Sequence, residues 1–285
     1  MIVRTRDEGP AGPCIRLLGP LDVTVDGRPV ALTAGRLRAV LAMLALAAGH
    51  VVAIEHLATT VWAEDDPPGN VRRSVQTYIA RLRGALGKAS IGSAPDGYML
   101  RTAPGRVDAL RFARLLDAAA AAPDTAAERT RLAEALSLWR GRPFDGVPCG
   151  RLAESTAPWL VERYLTALER RLDLDLAAGR HAELVVELSE LTARYPLRES
   201  LWARLLVALD RSGRRAEALA RYETVRALIA AELGVDPDPA LRRIHLELLN
   251  GPDGREGRTA RTGGVYGPYG TGTGRTHRAW ARPAT

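Results

Sequence analysis

The sequence predicts a mainly α protein in two parts, a small mixed α+β head followed by an all-α body. Three observations predict it. Short stretches with strand alternation and turn dipeptides are confined to the first hundred of the 285 residues. From Asp108 onward only helical periodicity remains, broken by glycine and proline. Alanine and leucine are plentiful while aromatics make up 5% of the chain, a balance that favours helices.

The head reads as follows. Ile15–Leu18 and Leu21–Val25 are short strands, the second alternating Leu21, Val23, Val25. Asp26-Gly27 is a hairpin turn signal, and Val30–Leu32 continues the sheet. Thr33 is placed to cap a helix from about Ala34 to Ala48, with Leu37, Val40, Leu41 and Leu44 on one face and Gly49 ending it. A short helix, Glu55–Trp62, follows. The segment 63–70, AEDDPPGN, is a loop by its prolines and glycine. Asn70 caps a third helix running to Gly87. A small hairpin, Ile91 to Leu100, turns at Pro95-Asp96-Gly97. Helix, loop, second helix and hairpin in this order make the winged helix-turn-helix plan.

In the body, breaks fall at Ala122-Pro123, Gly141–Gly150, Gly179, Tyr195-Pro196, Gly213 and Gly234–Pro239, with helices between them. Gly179-Arg180-His181-Ala182-Glu183 recurs as Gly213-Arg214-Arg215-Ala216-Glu217, 34 residues later. That is the tetratricopeptide period, in which helix pairs stack on their neighbours and commonly bind other proteins. The predicted fold class is therefore mainly α: an N-terminal winged helix-turn-helix and then an all-α tetratricopeptide-like helical domain. The expected organisation is a flexible N-terminus (1–13), a winged-helix head (14–105) that folds alone, the helical body (106–250), and a disordered, basic, Gly-rich tail (251–285).

Charge is unevenly placed. The chain is net +7, with +3 on residues 1–105, zero on 106–250 and +4 on 251–285. A basic head and tail on a neutral body suit a polyanion partner. Only Lys88 among the 40 basic residues is a lysine. The two cysteines, Cys14 and Cys149, are read as free thiols, and no metal-ligand spacing accompanies them. No secretory h-region opens the chain, and the apolar run Ala39–Ala48 is too short to span a bilayer. No cofactor, metal or membrane association is expected, and the expected location is cytoplasmic.

The helix NVRRSVQTYIARLRGALG (70–87) carries four arginines and no acid. At 100° per residue, Val71, Ile79, Leu82 and Leu86 fall within about 40° of Val75, giving a core face. The opposite side holds Arg73, Thr77, Ala80 and Gly84, flanked by Gln76, Arg81, Arg83 and Arg72; of these, Arg73, Gln76, Thr77, Ala80 and Arg81 are the candidates for base contact. A solvated helix normally mixes charge signs. Here like charges crowd a ridge of small residues, and Arg and Gln carry the paired groups that meet guanine or adenine edges. An arginine-rich solvent face is the plain alternative. Arg36, Arg72, Arg83 and Arg101 are candidates for phosphate contact, Arg36 lying at a helix start that favours anions and Arg101 near the hairpin.

Several stretches together resemble the SARP family, the streptomycete antibiotic regulatory proteins: Arg16–Leu21, Val61-Trp62 with EDDPP, QTYIARLRGALG (76–87), Gly97–Leu100, ALSLWRG (135–141), YPLRE (195–199), SGRRAEAL (212–219) and AELGVDPDPAL (231–241). The likeness covers about residues 14–250. It implies an OmpR-type winged-helix domain followed by a bacterial transcriptional activator domain. It also implies a sequence-specific activator of secondary-metabolite (antibiotic) genes that binds promoter repeats in double-stranded DNA as a homodimer or side-by-side assembly. The loop acids Glu64, Asp65 and Asp66 sit where OmpR-type regulators face RNA polymerase, at its sigma or alpha subunit. The family pattern commonly has Asn and Thr at the places of Arg73 and Ser74, so the base sequence that is read does not carry over. Lys88 lacks the spacing of a phosphate-binding loop, and only a short segment precedes the head, so neither ATP hydrolysis nor a fused receiver is expected. Two other readings share the same head, a protein-binding adaptor and a repressor. An enzyme is the least supported, for want of GxSxG, GxGxxG or a metal cluster.

Overall fold

The structure, a computed structural model, describes residues 12–62 and 68–250. They fall into two compact units, one ending at Ala167 and the other beginning at Leu168.

The first unit opens with an antiparallel sheet of β1 (Cys14–Arg16), β2 (Asp22–Val25) and β3 (Arg28–Pro29), in that order. Ile15 faces Val23, and Val25 faces Arg28. Asp26 and Gly27 both take positive φ, 49° and 76°, as a tight primed turn requires. The third strand is Arg28–Pro29 rather than Val30–Leu32, although Val30 N–H still donates to the Val23 carbonyl.

Helix α1 spans Gly35–Leu46. Its N-cap is Ala34, with no side-chain cap; Thr33 does not cap it, and the Thr33 carbonyl accepts instead from Arg38 Nη2 at 3.1 Å. The expected single apolar face is also too narrow. Ala39, Met43, Ala45 and Leu46 are buried along with Leu37, Val40, Leu41 and Leu44, because α1 runs through the core with neighbours on most sides.

β4 (Val52–Ala53) leads into α2 (Ile54–Val61), and α3 covers Val71–Leu86. β5 (Ile91–Ala94) and β6 (Gly97–Leu100) form the hairpin, and β4 pairs with β6 to complete a second sheet, β4-β6-β5. Gly97 is demanded by that pairing: a Cβ there would lie 2.2 Å from the Val52 carbonyl oxygen.

The hydrogen bonding of the first sheet is completed from beyond residue 105. α4 (Asp108–Ala120) begins with a buried carboxylate that accepts from the Leu17 N–H at 2.6 Å and the Leu18 N–H at 3.0 Å. Burial pushes the Asp108 carboxyl above the ordinary carboxylate range, while these N–H groups and Arg140 pull it back. Arg140 N–H donates to the Leu18 carbonyl, Phe144 N–H to that of Leu17, and Leu21 N–H to that of Asp145. α5 (Thr125–Ser137) packs on α4, and Trp139 lies between the rings of Phe112 and Tyr164. A π-helical turn, Leu152–Thr156, precedes α6 (Ala157–Ala177).

The second unit takes up the end of α6 and adds α7 (His181–Arg194), α8 (Glu199–Arg211), α9 (Arg215–Leu233) and α10 (Pro239–Asn250). The 34-residue repeat proves to be a repeat of corners. Gly179 and Gly213 take φ of 81° and 76°, which ends the preceding helix. The next residue, Arg180 or Arg214, then pairs with Glu183 or Glu217 in the first turn of the new helix. Between α6 and α8, Arg204 bonds both oxygens of Asp173 at 2.8 Å, and Glu169 accepts from Arg198 and Ser200.

Among the described residues, no helix is long and apolar enough to cross a membrane, and no group of three or more His, Cys, Asp or Glu is placed to hold a metal ion.

Candidate nucleic-acid interface

The interface is built on α3. Asn70 caps it, its side chain accepting from Arg73 N–H at 2.9 Å. Val75, Ile79, Leu82 and Leu86 are buried against the core, and Val71 is half-buried. This anchors the helix and decides which way its other side faces. Arg72, Arg73, Gln76, Thr77, Ala80, Arg81 and Gly84 are all exposed. Arg72, Arg73 and Arg81 enter no ion pair among the described residues.

The electrostatics are unfavourable in isolation. The first turn of α3 holds Arg72 and Arg73 and no acid, so the positive end of the helix carries further positive charge. A polyanion placed there would relieve that repulsion and meet the positive end of the helix dipole. Thr77 Oγ1 donates to the Arg73 carbonyl at 3.0 Å, so its hydrogen is used within the helix and its methyl and lone pairs remain for a partner. Ala80 and Gly84 keep the ridge low between Gln76 and Arg81, which permits close approach.

The phosphate candidates divide. Arg72 is exposed beside the candidates for base contact. Arg36 is exposed in the first turn of α1, its guanidinium carbon 5.9 Å from the ring centre of Trp62. Arg101 is exposed just after β6 and runs across Gly92, where a Cβ would lie 2.9 Å from Arg101 Nε. Arg83 differs from these. It is half-buried, its Nε and Nη2 donate to the Ile91 carbonyl, and Nη2 also donates to Ser93 Oγ. Its guanidinium is committed to the hairpin. Periodicity hints at this, since Arg83 lies only about 80° round the helix from Val75. The partner that decides it is a backbone carbonyl, which no side-chain pattern reveals. Glu64, Asp65 and Asp66 lie outside the described residues.

Comparison with known proteins agrees with this architecture. Residues 27–106 match the family described as Transcriptional regulatory protein, C terminal, and residues 107–249 match the Bacterial transcriptional activator domain. The chain is 42% identical to the Regulatory protein AfsR of Streptomyces coelicolor over 82% of its length, spanning about a quarter (24%) of that larger protein. It is 37% identical to the Regulatory protein DnrI of Streptomyces peucetius, covering 84% of this chain and 93% of DnrI. The solved structure of Mycobacterium tuberculosis EmbR in complex with a low affinity phosphopeptide superimposes with a TM-score of 0.75 at 34% identity, covering 84% of this chain and 65% of that one. A winged helix-turn-helix joined to a bacterial transcriptional activator domain defines a class of bacterial transcriptional regulators. The winged-helix reading, the helical body and the resemblance drawn from the motifs all stand. The chain belongs to the SARP family.

Proposed function

We propose that the protein is a sequence-specific DNA-binding activator of secondary-metabolite genes, with α3 reading the major groove of repeated promoter sites. The observation that carries this is the acid-free outer face of α3, exposed and held by a fully apolar inner face. Arg73, Gln76, Thr77, Ala80 and Arg81 read base edges, while Arg36, Arg72 and Arg101 meet phosphate. Similarity to regulators of the AfsR and DnrI kind supports the regulatory role.

The test is direct. A duplex enriched from a random pool by the full-length protein should lose about 1–3 kcal/mol of affinity on Arg73→Ala or Arg81→Ala. Arg36→Ala should weaken all sequences alike and lower the salt slope by about 0.9. Full affinity in the double Arg73/Arg81 variant, with the fold intact by circular dichroism, would reject the assignment.

The proposal extends to RNA polymerase. Three acids beside a DNA-binding helix oppose phosphate, so a basic partner gives them a purpose; within a Debye length of about 8 Å the opposition is only partly screened. Replacing Glu64, Asp65 and Asp66 together by Ala should leave DNA affinity equal or slightly higher and lower transcription from the target promoter. Wild-type transcription with DNA binding and stability unchanged would reduce the loop to a linker.

A further inference from the structure

We infer that Arg83 is a positioning residue: it locks the β5–β6 hairpin to α3 and thereby sets the angle at which helix and hairpin together meet a duplex. The inference rests on the DNA-binding reading above. Arg83 sits in the last turn of α3, on the flank between the buried and exposed faces. Its Nε and Nη2 lie 3.0 and 2.8 Å from the Ile91 carbonyl oxygen. Nη2 also lies 2.8 Å from Ser93 Oγ, and its guanidinium carbon stands 5.9 Å from the ring centre of Tyr98. Ser93 and Tyr98 are cross-strand partners in the hairpin ladder. One guanidinium at the end of the helix therefore holds β5 at Ile91 and touches both sides of the Ser93–Tyr98 rung.

The other end of the hairpin is also tied. The Asp96 carbonyl at the turn accepts from Ile54 N–H at 2.9 Å, the first residue of α2. The turn residues Pro95 and Asp96 bring no positive charge of their own. A hairpin without a basic tip gains little from phosphate by charge alone, so what it adds to a complex depends on where it is held. The planar fork of arginine can place two donors on one carbonyl and a third hydrogen bond on the hydroxyl. A lysine ammonium at the end of a flexible stem cannot reproduce that set, although it carries the same charge.

The charge-preserving substitution separates position from charge. The probe is a duplex enriched from a random pool by the full-length protein, bound by wild type, Arg83→Lys and Arg83→Gln over a range of salt. A positioning role predicts that both variants lose affinity together, by about tenfold. Hydroxyl-radical protection of the sugars facing the hairpin should fade in both, while methylation protection of guanine N7 in the major groove persists. Loss of both footprints at once in a variant that is folded at the assay temperature overturns the proposal, as does a Lys variant that binds like wild type. If Lys keeps affinity while Gln lowers it with a salt slope smaller by about 0.9, Arg83 is a phosphate contact instead. Should Arg83→Lys melt below the assay temperature, Ser93→Ala removes one hydrogen bond at an exposed position. A two- to threefold loss confined to the hairpin footprint, about the worth of one weak hydrogen bond, is then expected, and wild-type protection overturns the proposal. A pool that yields no enriched duplex removes the DNA-binding reading and this inference with it; binding insensitive to Arg83 removes this inference alone.

Discussion

Asp108 and Arg83 show where residue-level reading succeeds and stops. The exposed face of α3 is legible because apolar and polar positions separate cleanly at helical spacing, and the side-chain types declare their chemistry. Asp108 declares nothing and Arg83 little, because backbone groups are their main partners. Asp108 meets two N–H groups about ninety positions earlier in the chain, separations of 91 and 90 residues. An Asn in its place can accept from only one of them, and its amide would face the other. Asp108→Asn should therefore cost about 1–3 kcal/mol, read as a lower urea midpoint with an unchanged slope. A shift within error would mean that water or a moved strand takes over the orphaned N–H.

At the scale of elements, the helices were easier than the strands. α3 was readable to within a residue or so, with its Asn70 cap, since a capping side chain followed by an amphipathic run is a local signal. The burial of α1 exceeds what its apolar spacing predicts, because an alanine-rich helix has no polar face to betray which sides are covered. β4 is two residues long and owes its existence to β6, so no alternation marks it. β3 contains Pro29, tolerated because it closes an edge strand. The corners at Gly179 and Gly213 show as a repeated string, but their content, a left-handed glycine followed by an Arg–Glu clasp, lies in backbone dihedrals that the string does not carry.

For the whole molecule, the match to two successive families divides the chain near residue 106, while the compact unit continues to Ala167. The difference is physical. The N–H groups of Leu17, Leu18 and Leu21 and the carbonyls of Leu17 and Leu18 find their partners in residues 108–145. A fragment of residues 1–105 strands all of them, and Asp108 is lost with its partners' environment. We expect that fragment to lack a cooperative thermal transition, and residues 1–167 to melt cooperatively and bind the enriched duplex. A cooperative melt of 1–105 would show that solvent satisfies those groups at small cost. Comparing 1–167 with the full chain on one and on two copies of the site then tests whether the helical body supports side-by-side assembly, since linked binding events multiply.

The repeated corners have a consequence for how the chain finds its fold. Two similar corners 34 residues apart offer a refolding helical stack two places to dock, and mis-stacked or exchanged units are the usual failure of such proteins. The pair α6–α8 discriminates between them. Arg204, only 5% exposed, needs Asp173 and Glu169. In α10 the corresponding place, the sixth residue of the helix, is held by Ile244, which would leave those acids without a partner. The network thus acts as a key for register, and its value lies less in net stability than in making the wrong stacking costly. Replacing Glu169, Asp173 and Arg204 together by leucine should leave the melting temperature equal or higher, yet increase misassembled product as refolding concentration rises, measured by light scattering. A wild-type refolding yield across that range would show that the corners alone keep the stack in order.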